Sequence, residues 1–291
     1  MLDARYHLFY LIAIILMLAF GILIGGSYYG PIQVNQQKQF VQALAAQTNK
    51  VVQQRDEARG RVAKDEAALA SIQPTLVRGK LAGKRVIVIQ TGDYAEADGA
   101  VNKAITDAGA TVTATVVLTG KWGTLTPKQR AALSSVADTI DPVGQDKALL
   151  AALATALAAG AEGAKGAATL EALQGENLIT ESGDLSQPCA LFVLVGGKSD
   201  DTAGMSLDGL LLDGFKTVTT AVTLVGCEPF AAAASSIPAY QSAGIATVDC
   251  IDLPLGQLAL PFALRGETGD YGLKPTAKQL LPDSLTGVPS L

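Results

Sequence analysis

Cys227 and Cys250 are the side chains whose type and setting point most directly to chemistry. Each follows a short apolar run, 221–226 and 245–249, that reads as a β-strand. Neighbouring parallel strands lie about 4.8 Å apart, so the two thiols can meet at one sheet edge. Three readings stay open for the pair. Two thiolates hold a soft ion such as Cu(I), two thiols oxidise to a disulfide outside the cytoplasm, or two small buried thiols fill space. Cys189 precedes its own strand and stands at the opposite end. Asp249 and Asp252 bracket the loop around Cys250. They read either as a cation or partner contact, or with Asp252 capping the next helix and Pro254 in its first turn. Two further turns, Thr91-Gly92-Asp93 and Gly196-Gly197-Lys198, complete a set of candidate ligand or partner contacts, because open parallel sheets bind at the carboxyl ends of their strands.

Other chemistries are poorly served. No GxGxxG follows the first strand and no GxxxxGK[ST] occurs, which leaves Gly196-Gly197 as a weak phosphate-loop signal. The one histidine, His7, lies near the amino terminus, so a serine nucleophile in the head has no histidine base. Met1, Met17 and Met205 form no methionine-rich copper motif. A non-enzymatic protein is expected. With 22 Lys+Arg against 27 Asp+Glu and a net charge of −5, the chain lacks the basic surplus that a nucleic-acid partner requires. A hydrophobic share of 49% against 17% charged residues excludes chain-wide disorder.

The elements that position these residues read as an α/β head over residues 80–291. Residues 86–89, 111–118, 190–195, 221–226 and 245–249 are strands, and residues 97–108, 205–215, 235–243 and 255–264 are helices. The alternation implies βαβ units in a parallel Rossmann- or flavodoxin-like sheet of order 2-1-3-4-5 with helices on both faces. Pro261 is expected to kink or shorten the last helix. Residues 120–180, rich in Ala and Gly, read as a helical insertion with helices at 126–137, 148–159 and 169–173. Such Ala-rich helices are expected to bury little and to be the most mobile part of the head.

Ahead of the head, residues 1–7 form a short cytoplasmic amino terminus and residues 8–29 an uncharged apolar run. A helix of that length extends about 33 Å, enough for a bilayer core of about 30 Å. The apolar run exceeds a cleavable signal's core, which favours a retained single-pass anchor. Arg5 before it and no basic residue until Lys38 place the amino terminus inside and the head outside the membrane. Gly21 and Gly25, four apart, suit close packing of two membrane helices. Pro31 is expected to break the helix and Pro74 to end a stalk over residues 30–78. A heptad places Val34, Val41, Thr48, Arg55, Val62, Leu69 and Leu76 at a, and Gln37, Leu44, Val51, Ala58, Asp65 and Ile72 at d. This predicts a parallel homodimeric coiled coil. The competing expectation is a single helix lying against the head.

The start Met1-Leu2-Asp3-Ala4-Arg5-Tyr6-His7 and the apolar run ending Gly21-Ile22-Leu23-Ile24-Gly25 resemble the bacterial MctB/SteB family. So do Ser236-Ile237-Pro238-Ala239-Tyr240, matching the family's SSIPxY, and 246–252, matching its TVDxID. Gly256-Gln257 and Gly269-Asp270-Tyr271-Gly272 follow the same pattern, whereas Cys250 stands where the family has Asn. The resemblance implies a cell-envelope protein in one of two branches. One is linked to copper transport and was described as an outer-membrane pore. The other is linked to cell separation and division beside a membrane partner called SteA. Copper enters as an expected ligand through this resemblance. About five short, uniformly apolar strands do not supply a membrane barrel, which needs at least about eight strands of 9–11 residues.

Overall fold

A computed structural model describes residues 4–139, 141–161, 163–200 and 207–287, with no side chains described at 4–5 and 26–39. The chain divides between Asp65 and Glu66 into two units, taken here one at a time.

The first unit is helical. Helix α1, Ala4–Val77, begins in it and runs on without interruption. Neither Pro31 nor Pro74 ends it, contrary to the sequence expectation. A proline removes one backbone donor, yet the helix continues through both sites. Tyr6–Gly25 is long and apolar enough to cross a membrane, with a mean hydropathy of 2.8 and none of it buried. Further along, Val41, Leu44, Val51 and Val62 are exposed.

The second unit carries the chemistry-bearing residues. The last turns of α1 belong to it: Gln73 and Val77 are fully buried and Leu69 packs on the same core. This buried face holds the helix together past Pro74. The sheet has seven strands in the order β3-β2-β1-β4-β5-β6-β7, namely β1 Arg85–Gln90, β2 Thr111–Leu118, β3 Ile179–Gly183, β4 Leu191–Val195, β5 Thr223–Cys227, β6 Ala246–Val248 and β7 Asp270–Tyr271. All neighbours are parallel except β2 and β3. The five strands legible in the sequence follow one another in the 2-1-3-4-5 sense. Two short edge strands, β3 and β7, add to them.

Period-two alternation splits the sheet into two cores. Ile87 and Ile89 of β1 face one side with Phe192 and Leu194 of β4. Val86 and Val88 face the other with Val193, Val225 and Val248. Helices α2 (Glu96–Asp107) and α8 (Pro254–Leu264) cover the second face, and α8 continues through Pro261 to its expected end. Helices α3 (Pro127–Ala132), α4 (Pro142–Ala159), α5 (Ala164–Gly175), α6 (Leu207–Lys216) and α7 (Ile237–Ser242) lie in the element order between the strands, and α9 (Asp283–Thr286) follows β7. On the first face, Phe192 meets Phe215 of α6 with ring centroids 4.9 Å apart.

The insertion corrects the expectation of a loosely packed element. Leu149, Leu150, Leu153 and Leu157 of α4 are all at most 1% exposed. Each such side chain contributes roughly 1.5–3 kcal/mol of burial, so α4 is a core element. Trp122 is buried beside it, and its indole donates to the Leu178 carbonyl at 2.9 Å. Arg130 pairs at 3.0 Å with Asp146, which is 1% exposed.

Candidate functional site

The strand order switches sense between β1 and β4, the position where open parallel sheets leave a crevice for ligands. The chain's own backbone fills that position. The amides of Thr91 and Gly92 both donate to the Val195 carbonyl, at 2.9 and 3.1 Å, and Asp93 N donates to Gly197 O. Gly92 lies so close to the Gly196 and Gly197 carbonyls that a Cβ would collide with them. Gly197 has φ +84°, a left-handed conformation that glycine adopts freely. The Asp93 carboxylate accepts from both the amide (2.9 Å) and the hydroxyl (2.6 Å) of Ser199. Lys198 is half-buried, and its backbone forms a bridge with Ala234.

Below these turns lies a carboxylate that sequence reading passed over. Asp208, in the first turn of α6, is buried. It accepts from the hydroxyls of Thr91, Ser236 (2.7 Å) and Tyr240 (2.9 Å). Ser236 in turn accepts from Gly197 N at 2.9 Å. Burial and the Asp208 charge push the Tyr240 phenol well above its ordinary range, so it stays a donor. One carboxylate thus ties β1, β4, α6 and α7 together.

A second set of carboxylates does the same for β5, β6 and β7. Glu228, fully buried, accepts from Ser235 Oγ (2.8 Å), Ser236 N (2.7 Å) and the Lys274 ammonium. Lys274 Nζ also donates to Pro229 O at 3.0 Å. Asp249, 1% exposed, accepts from Leu273 N (2.8 Å) and Lys274 N (3.0 Å). Asp252 accepts from Phe230 N at 2.7 Å. It is therefore a loop latch and not the cap of α8, whose N-cap is Leu253 with no side-chain bond. Thr247 donates to Asp270 at 3.0 Å.

The two cysteines lie in this setting as free thiols, both fully buried. The residue across the ladder from Cys227 is Val248, so Cys250 stands two residues further along and not opposite it. Cys227 packs in the sheet core, and burial with Glu228 and Asp98 nearby pushes its thiol well above the ordinary range. Burial and the Asp249 charge push the Cys250 thiol up as well. Cys189, at the far end of β4, reaches the Arg85 and Leu191 carbonyls. A thiol held in its neutral form is a poor metal ligand, because the thiolate is the binding species. Among the described residues no three His, Cys, Asp or Glu side chains converge to hold an ion. A cavity of about 730 Å³ opens instead in the insertion, lined by small side chains such as Ala151, Thr155 and Ala159.

These bonds account for the segments that drew the family resemblance: SSIPxY supplies Ser236 and Tyr240, and TVDxID supplies Thr247, Asp249 and Asp252. A profile described as "Copper transport outer membrane protein, MctB" matches residues 1–282. The chain belongs to the MctB family. It is similar to the "Copper transporter MctB" of Mycobacterium bovis, with 27% identity over 94% of this chain and 96% of that protein. The protein of the same name in Mycobacterium tuberculosis matches to the same extent. The sequence signals for Asp208, Glu228 and Lys274 were faint. Glu228 directly follows a strand, whereas Lys274 has no local motif.

Proposed function

We propose that this chain is a membrane-anchored, extracytoplasmic envelope protein of copper handling, which acts by binding or scaffolding and not by catalysis. Copper is its cargo or signal. The observation that carries this reading is the self-saturated carboxyl edge of the sheet. The Thr91, Ser236 and Tyr240 hydroxyls donate to Asp208, the Thr91 and Gly92 amides to the Val195 carbonyl, and Asp93 accepts from Ser199. A catalytic site needs groups free to meet a substrate, whereas a scaffold needs a rigid surface. The copper assignment rests on the family.

In this reading Tyr6–Gly25 is a single-pass anchor with the head outside the bacterial cell membrane, and Gly21 and Gly25 line its packing face. The exposed stripe of α1 forms a parallel, two-chain coiled-coil stalk. A pore made by one chain is disfavoured. The longest described strand, β2, has eight residues in an open sheet, short of the length for spanning a bilayer.

Complementation of a deletion strain tests the proposal. The intact chain should restore copper tolerance, and a chain lacking residues 34–65, which leaves the second unit whole from Glu66 onward, should not. Full rescue by the shortened chain would remove the stalk from the mechanism, and no change in copper tolerance on deletion would remove copper.

A further inference from the structure

We propose that the cavity beside α3 binds a small zwitterion of the amino-acid or short-peptide class, with its carboxylate on Arg130 and its ammonium at Asp138. The cavity measures about 570 Å³, and its wall includes Leu125, Pro127, Arg130, Ser134, Asp138 and Gln145. That volume falls within the roughly 300–1,000 Å³ of small-molecule sites. The site uses none of the strand-end residues and does not depend on the copper reading.

Arg130 is held in place from several sides. Its helix α3 opens with a reciprocal cap between Thr126 and Gln129, and its side chain is 17% exposed. Its backbone carbonyl accepts from Gln145 Nε2 at 2.9 Å. The guanidinium is fixed through one nitrogen: Nη1 donates to Pro142 O (3.0 Å), Gln145 Oε1 (3.2 Å) and Asp146 (3.0 Å). Among the described residues Nε and Nη2 have no hydrogen-bond partner. These two nitrogens share one edge of the guanidinium plane, and their parallel N–H groups match the two oxygens of a carboxylate. With Nη1 turned to the buried Asp146, that edge is the one left for the cavity. Asp138 supplies the opposite charge. It is exposed on the same wall and has no hydrogen bond or ion pair among the described residues. Asp146 already balances the Arg130 charge. Asp138 therefore leaves a negative surplus, which disfavours a bare anion and attracts a ligand that also carries an ammonium. The Ser134 hydroxyl donates to Ala131 O at 2.8 Å, so its oxygen remains free to accept from that ammonium. Leu125 and Pro127 give the cavity apolar surface for a ligand side chain.

The test is equilibrium dialysis of the full-length protein in detergent against the labelled dipeptide alanyl-leucine. Saturable binding is expected. Blocking the dipeptide's ammonium with an acetyl group, or its carboxylate as an amide, should each weaken binding about tenfold, the loss of one charge-assisted hydrogen bond. Asp138→Asn should weaken binding of the free dipeptide by a similar factor, and in that variant the acetyl group should have no further effect. Asp138 is exposed and unpaired, so this variant keeps the fold. Arg130→Lys retains a cation for Asp146 but lacks the two-nitrogen edge, and it should also lose binding. Its Trp122 fluorescence melt checks that the unit still folds. No saturable binding by the native protein would overturn the proposal. So would binding that neither blocking group nor Asp138→Asn changes. Acetate competing as well as the dipeptide would make this a plain anion site and overturn the zwitterion assignment.

Discussion

Removing the Lys274 ammonium exposes what the strand-end network contributes. Lys274→Met keeps the length of the side chain but leaves Glu228, fully buried, with a carboxylate whose counter-charge is gone. Breaking one side of a buried pair costs about 3–5 kcal/mol. The lower end applies here, because Ser235 Oγ and Ser236 N still donate to Glu228. The carbonyls of Pro229 and Ala232 lose a donor as well. For a unit of this size each kcal/mol moves Tm by about 2–4 °C, so a cost of about 3 kcal/mol should lower Tm by roughly 6–12 °C. Trp122, the single tryptophan, is buried in the same unit and reports its unfolding by fluorescence. Adding Glu228→Gln to Lys274→Met should recover much of the loss, because no uncompensated charge remains. A fall of less than about 1 kcal/mol in the single variant, or no recovery in the double variant, would refute the reasoning.

Other outcomes follow from the same geometry. In the native state none of the three cysteines should react with a thiol reagent, and all three should react on unfolding, because burial holds each thiol neutral. Fast labelling of Cys227 or Cys250 in the folded protein would contradict their placement. Burial raises the Asp98 carboxyl above its usual 3.8, and one of its oxygens is buried without a partner. The charged form is therefore penalised in the folded state, so Asp98→Asn should raise Tm at pH 7, with the gain vanishing as pH falls below the unfolded value. An equal gain at pH 3 and pH 7 would assign the effect to something other than charge. Leu153→Ala in α4 should cost about 2–5 kcal/mol by urea denaturation, and a loss below 0.5 kcal/mol would return the insertion to the periphery.

The fold was legible where local pattern and packing agree. The run Val86–Ile89 reads as a strand because it is apolar on both sides, and it is buried on both. The edge strand β3 was not legible: four of its five residues are exposed, and Glu181, Ser182 and Gly183 look like loop. The burial of α4 was hidden by its alanines, which dilute the leucine stripe. Helix ends at Pro31 and Pro74 follow from local chemistry, yet Leu69, Gln73 and Val77 on the buried face carry the helix past Pro74. The candidate positions Thr91, Gly92, Asp93, Gly196, Gly197, Asp249 and Asp252 do gather at the strand ends, but the partners that saturate them do not show in sequence. Lys274 lies 46 residues from Glu228, and no spacing rule connects them.

The most direct test of a copper-handling scaffold without an internal thiol site is a Cu(I) competition titration. It compares the reduced, full-length protein with its Cys227→Ala/Cys250→Ala variant. The account predicts the same binding for both, because each thiol is buried and protonated. Stoichiometric Cu(I) binding by the native chain that the variant loses would contradict it and place the copper site at the strand ends.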